Sequence, residues 1–181
     1  MKEYTILFLV GKDRPGIVDD VSTFLFERGA NIEDSRMAVM GGCFSIMTLF
    51  SCLPQKLEGI EGSLSELREM GFETSLHRAQ APEAVSDAPD FPMKVAVTSM
   101  DHPGIVRKVV RILRRHNVNV RSMITRMTSA PLSGAPIFNL VLEAALPSEN
   151  DVSKVREDLE DLADRMNMDL NFPSAGTDKE T

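Results

Sequence analysis

Apolar positions change their spacing several times along the first half of the chain, and each change marks an element. Tyr4 to Val10 is a run of aromatic, β-branched and aliphatic residues, the composition of a strand. Ile17, Val21, Phe24 and Leu25 then fall at i, i+4, i+7 and i+8, one face of a helix, and Gly29 stands where such a helix ends. Ile32 to Met40 and Cys43 to Ser51 flank Gly41-Gly42, a hairpin signal. Leu57, Ile60, Leu64 and Leu67 predict a second helix stopped by Gly71, and Phe72 to His77 a closing strand. The order is strand, helix, strand, strand, helix, strand.

The second half repeats it. Asp13-Arg14-Pro15-Gly16-Ile17-Val18 returns as Asp101-His102-Pro103-Gly104-Ile105-Val106, an offset of 88 residues from Asp13 to Asp101. Without a gap the same offset carries Val21 to Val109, Leu25 to Leu113, Asn31 to Asn119 and Ile32 to Val120. The matching pieces are a strand at Met93 to Ser99, a helix with Ile105, Val109, Ile112 and Leu113, and strands at Asn119 to Met127 and Ile137 to Ala145. A last helix starts at Ser148, a plausible N-cap, and runs through Val152, Val155, Leu159, Leu162 and Met166 before a strand at Met168 to Phe172. Pro82 and Pro89 interrupt a polar stretch between the halves. The expected organisation is a first domain at 1–79, a linker at 80–91, a second domain at 92–173 and a disordered tail at 174–181.

Charge and composition narrow the function. A net charge of −7 in 181 residues works against broad attraction to a phosphate backbone, so no direct nucleic-acid binding is expected. No apolar run approaches the ~20 residues that span a bilayer, and no signal-peptide pattern opens the chain. A cytoplasmic protein without membrane attachment is expected. Cys43 and Cys52 bracket one predicted strand, too far apart along it for a disulfide. His77, His102 and His116 are scattered, with no metal-ligand spacing, nucleophile and base pair, or phosphate loop among them. Neither an enzyme nor a cofactor is expected.

A βαββαβ unit that opens with a strand, continues with Asp-x-Pro-Gly-Ile and a helix, and places Asn-Ile or Asn-Val at the next strand resembles the ACT domain. The resemblance covers nearly the whole chain, twice, and implies an α+β protein of two ferredoxin-like units with antiparallel sheets. With no catalytic domain appended, the tandem also resembles the glycine-cleavage-system transcriptional repressor group, as does the stretch Thr128 to Phe138, a long hairpin loop in the second repeat only. That resemblance implies a regulatory protein that binds a small amino acid of the glycine or serine class between modules and modulates a partner such as a transcription regulator.

The residues fit such a task. Each Asp-x-Pro-Gly turn feeds a helix N-terminus, where unpaired amides and the positive end of the helix dipole favour a carboxylate. Asp13, Pro15, Gly16 and Ile17, with Asp101, Pro103, Gly104 and Ile105, are the candidate turn residues. Asp13 and Asp101 can accept from an α-ammonium group, and Asn31 and Asn119 can both donate and accept. A plainer assignment competes: the aspartates as helix N-caps, the prolines as ordinary helix starters, the asparagines as turn residues.

The halves differ in two respects. Polar Lys94, Thr98, Asn139 and Glu143 alternate with apolar residues in the second repeat, as expected for a sheet with one wet face. The equivalent face of the first repeat carries Ile6, Phe8, Val10, Met47 and Leu49, and is expected to be buried against another module or another copy. The outer face of the first helix is acidic, with Asp19, Asp20 and Glu27, where the second has Arg107, Lys108 and Arg115; Arg111 and Arg114 extend the basic face. Arg107, Arg111 and Arg114 are candidates for meeting an acidic surface, either the first helix of a second subunit or a partner protein, and a homodimer is expected. The alternative is a protein interaction module that binds no ligand.

Overall fold

The computed structural model describes residues 2–81, 91–146 and 148–173, and the chain divides into two compact units. Most of the expected linker, residues 82–90, and all of the expected tail, 174–181, lie outside the described residues. The first unit comprises β1 (Glu3–Lys12), α1 (Ile17–Glu27), β2 (Asn31–Met40), β3 (Cys43–Cys52), α2 (Pro54–Gly62), α3 (Leu64–Glu69) and β4 (Phe72–Ala79). Its sheet has the order β2-β3-β1-β4, antiparallel throughout. The second comprises β5 (Phe91–Met100), α4 (Ile105–Arg115), β6 (Asn119–Ser129), β7 (Pro136–Leu146), α5 (Glu149–Met166) and β8 (Asp169–Asn171), in the order β6-β7-β5-β8. Both are α+β units of the ferredoxin-like type.

Two-residue alternation in the strands meets the helical spacing to make each core. Leu7 and Leu9 of β1 and Ile46 and Phe50 of β3 point inward against Val21 and Leu25 of α1 and Ile60 and Leu67 beyond it, all nearly inaccessible. In the second unit Val95 and Val97, Leu140 and Leu142, Val109 and Leu113, and Val155 and Leu159 do the same. Truncating one of these leucines to alanine removes about 2–5 kcal/mol. Ser148 caps α5, its hydroxyl accepting from the Asp151 amide at 3.3 Å.

Three expectations need correction. The second helix is not continuous: α2 ends at Gly62, and Ser63, at φ −94° and ψ 2°, breaks it before α3. Glycine and serine hold helical backbone weakly, while Leu57, Ile60, Leu64 and Leu67 still all reach the core. The hairpin of the second repeat is tighter than the stretch Thr128 to Phe138, because the ladder continues until Ser129 pairs with Pro136. Ala130 and Ala135 then close a six-residue loop, the Ala130 amide donating to the Ala135 carbonyl at 2.8 Å. The last strand is only three residues, pairing with Ala96, Val97 and Thr98.

Neither Asp13 nor Asp101 caps its helix, which corrects the plainer assignment above. The N-cap positions belong to Gly16 (φ 88°, ψ −3°) and Gly104 (φ 95°, ψ 5°), in left-handed backbone, with no side-chain cap. Only glycine enters that region without a steric cost. Gly104→Ala should therefore lower the stability of the second unit by about 1–2 kcal/mol. Gly59→Ala, on the exposed face of α2 with open space around it, should raise that of the first by about 0.5–1 kcal/mol. Urea unfolding of the full chain, followed by circular dichroism, checks both signs.

Candidate functional site

The two Asp-x-Pro-Gly turns sit where β1 and β5 end and α1 and α4 begin. Each is tied to the neighbouring hairpin by its aspartate's backbone: the Asp13 amide donates to the Gly42 carbonyl at 3.0 Å, and the Asp101 amide to the Pro136 carbonyl at 3.2 Å. The carboxylates of Asp13 and Asp101 stay exposed and find no partner among the described residues. Pro15 and Pro103 are exposed as well. Ile17 and Ile105 are each only 2% accessible, so their side chains anchor the turns in the two cores and only their backbone faces the helix start. Because glycine occupies each N-cap, the first helical amides lack a side-chain acceptor.

The turns differ in charge and shape. At the first, Arg14 folds over the helix start: its Nη2 donates to Asp20 Oδ2 at 2.6 Å, and its guanidinium lies 5.3 Å from the centre of the Phe72 ring. Asp19 and Asp20 occupy the first turn of α1, where their charge already answers the helix dipole. At the second, the first turn of α4 holds no acid, and Arg107 stands there instead. A hollow of about 550 Å³ opens beside it, lined by Asp101, His102, Gly104, Val106, Val110 and Phe138 among others. Nothing in the sequence marks Val110 and Phe138 as lining residues, since both fall on ordinary apolar positions.

Asn31 and Asn119 lie at the opposite ends of their sheets. Asn31 pairs in the row of Ser51 and Tyr4, whereas Lys12 closes the far row with Cys43; eight steps of roughly 3.3 Å separate them, about 26 Å. Asn119 stands in the same relation to Asp101, beside Ala145 and Pro92. Within one unit the aspartate and asparagine cannot share a small ligand. Asn31 is engaged locally: its Nδ2 donates to Glu33 Oε1 at 3.0 Å, and the Ser51 hydroxyl donates to the same oxygen at 2.6 Å. These two bonds, Ser51's first, hold the Glu33 carboxyl below its ordinary range. Glu33 was not a sequence candidate, and only the β2–β3 pairing reveals it.

On the outer face of the first sheet, Phe8, Met47, Ser75 and Arg36 form one cross-strand row, and Val10, Ser45, Glu73 and Ala38 the next. Phe8 and Val10 are 39% accessible and Met47 40%, around a hollow of about 570 Å³, with Ile6 and Leu49 half-buried in the adjoining row. The second sheet's outer face is mixed, with an apolar row of Ala96, Val141 and Ile124 between polar rows. Lys94 stands 3.7 Å from Glu143, and Thr98 donates to Asn139 Oδ1 at 3.2 Å. Arg107, Arg111 and Arg114 lie exposed along α4.

Comparison with known proteins fits this architecture. The ACT domain profile matches residues 3–77, the first unit. The second unit repeats its strand order and its left-handed glycine turn. The first unit is thus an ACT domain, and the second shares its fold. The glycine cleavage system transcriptional repressor of Escherichia coli K12 is 26% identical over 168 residues, spanning 92% of this chain and 87% of the relative. A solved structure of a protein of unknown function from Galdieria sulphuraria matches with a TM-score of 0.79 at 27% identity, covering 95% of this chain and 98% of that one. A candidate glycine cleavage system transcriptional repressor shares the fold, with a TM-score of 0.70 at 24% identity over 97% of this chain and 99% of that one.

In the first ACT unit, Ser51→Ala removes the stronger of the two bonds to Glu33, and its carboxyl should titrate closer to the ordinary value. A carboxyl depressed in the folded state contributes stability that is present above the unfolded pKa and disappears as pH falls through the folded one. The wild-type protein should therefore lose more stability than Ser51→Ala on acidification below about pH 4.5. Carboxyl-carbon NMR titration together with urea midpoints at two pH values tests this.

Proposed function

We propose that this chain is a non-catalytic regulatory protein of the cytoplasm that binds a small amino acid at its ACT turns and thereby alters its hold on a partner protein, such as a transcription regulator. The observation that carries the proposal is the pair of uncapped helix starts, each beside an exposed aspartate whose carboxylate has no partner among the described residues. A helix N-terminus attracts a carboxylate and the aspartate an α-ammonium, the two charges that every free amino acid carries. The 26 Å separation between turn and asparagine gives the proposal a geometric condition. Asn31 or Asn119 completes a site only when it comes from a neighbouring module, so ligand binding and association become one equilibrium. The second turn, with Arg107 in place of Asp19 and an open hollow beside it, is the stronger of the two for an anion.

In this proposal the apolar outer face of the first sheet, with Ile6, Phe8, Val10, Met47 and Leu49, is the surface on which the partner protein rests. Its hollow of about 570 Å³ with an apolar floor also favours a second reading, an interaction module that binds no ligand. Thermal unfolding against a panel of amino acids separates the two. Ligand at 100 times its Kd should add about 2.7 kcal/mol to native stability, and glycine or serine should raise Tm where a carboxylate alone or an amine alone does not. Asp101→Asn should abolish most of the shift while leaving the unliganded Tm nearly unchanged. A flat response across the panel leaves only the interaction module.

A further inference from the structure

The outer faces of α1 and α4 are matched opposites. The 88-residue offset that aligns the repeats sets Asp19, Thr23 and Phe26 of α1 against Arg107, Arg111 and Arg114 of α4. Their i, i+4, i+7 spacing puts each triplet on one stripe, turned away from the buried stripes of Val21 and Leu25 in α1 and Val109 and Leu113 in α4. Glu27 flanks the first stripe and Lys108 the second. The charged side-chain groups of Asp19, Glu27 and the four basic residues have no hydrogen-bonding or ionic partner among the described residues. The arginines of α4, three and four residues apart, repel one another, and a surface of opposite sign relieves that repulsion.

Phe26 sharpens the match. It is 79% accessible, a large aromatic ring on the outer face of α1, two turns on from Asp19 and next in sequence to Glu27. Elsewhere the chain covers rings with arginine: Arg28 lies 4.0 Å from the centre of Phe24, and Arg156 lies 4.4 Å from that of Phe172. A helix that carries both an exposed ring and exposed carboxylates offers a row of arginines a cation–π face and salt-bridge acceptors. α4 presents three arginines with the spacing to use them.

We propose that two copies of this chain associate through these helices, the acidic, Phe26-bearing face of α1 in one copy lying on the arginine face of α4 in the other. Under a two-fold axis the contact is made twice, since each copy supplies both faces, and the assembly closes as a dimer. A nucleic acid fits this surface less well: the basic surface is one helix wide, the chain carries a net charge of −7, and an acidic, aromatic complement of equal length stands in the same sequence. This inference is independent of amino-acid binding.

The test is a charge swap read by sedimentation equilibrium of the full chain. One variant carries Arg107→Glu, Arg111→Glu and Arg114→Glu; the other carries Asp19→Arg and Glu27→Arg. All five positions are exposed, and circular dichroism checks that both variants are folded. The wild type should be a dimer at micromolar concentration, loosened by salt. Each variant alone should dissociate, its Kd raised by about 100-fold, because both its faces now have the same sign. An equimolar mixture of the two should recover a heterodimer, because each acidic helix again meets a basic one. Phe26→Ala in the wild-type background should raise Kd by about 10-fold. A monomeric wild type, variants that dimerise unchanged, or a mixture that stays monomeric overturns the proposal; so does duplex DNA at low salt binding the wild type while the protein remains monomeric.

Discussion

At Gly16 and Gly104 the backbone takes left-handed values, φ 88° and 95°, and the strand-to-helix junction of each unit hangs from that turn. The conformation reverses a strand into a helix within a few residues while giving the cap position to a residue with no side chain. Helix starts in proteins are usually closed by a serine, threonine or aspartate. Here the closing group is absent, so the first amides of α1 and α4 face outward. The same geometry frees the carboxylates of Asp13 and Asp101 from capping, and the backbone bonds from their amides to Gly42 and Pro136 hold each turn against a hairpin.

One fold carried twice in a chain need not do the same work twice. The first unit answers its helix dipole with Asp19 and Asp20 and clasps Arg14 over the turn. The second leaves that region open, with Arg107 beside it. The first sheet turns Phe8, Val10 and Met47 outward, while the second turns out Lys94, Glu143 and Asn139. These differences lie on surfaces, where substitution is nearly free of folding cost, whereas the cores keep the same pattern of aliphatic residues. Divergence of the outer faces leaves the first turn of α4 free of acids beside an open hollow, the first sheet's outer face apolar, and the first helices of the two units opposite in charge.

Much of the fold was legible because its signals are local and periodic. The turn glycines, the helical stripes from Ile17 to Leu25 and Ile105 to Leu113, and the Gly41-Gly42 hairpin are each set by a few neighbouring residues. The break at Ser63 leaves no mark in the apolar spacing, since Leu57, Ile60, Leu64 and Leu67 suit a continuous helix equally well. The aspartates were open to a capping assignment because Asp three residues before a glycine fits that pattern, and only the backbone dihedrals show the glycine in the cap itself. Glu33 went unseen for a different reason: its partners Asn31 and Ser51 are brought together by strand pairing across the sheet.

By itself, then, the sequence determined the duplication, the order of elements, the inward and outward faces of each strand, and the opposite charges of α1 and α4, because all of these are written in spacing along the chain. Tertiary structure alone decided that each aspartate and asparagine stand at opposite ends of a sheet, which residues line the hollow beside Gly104, and how freely Phe26 is exposed. Those are distances and accessibilities between residues far apart in the chain, and they exist only once the strands have paired and the helices have packed against them.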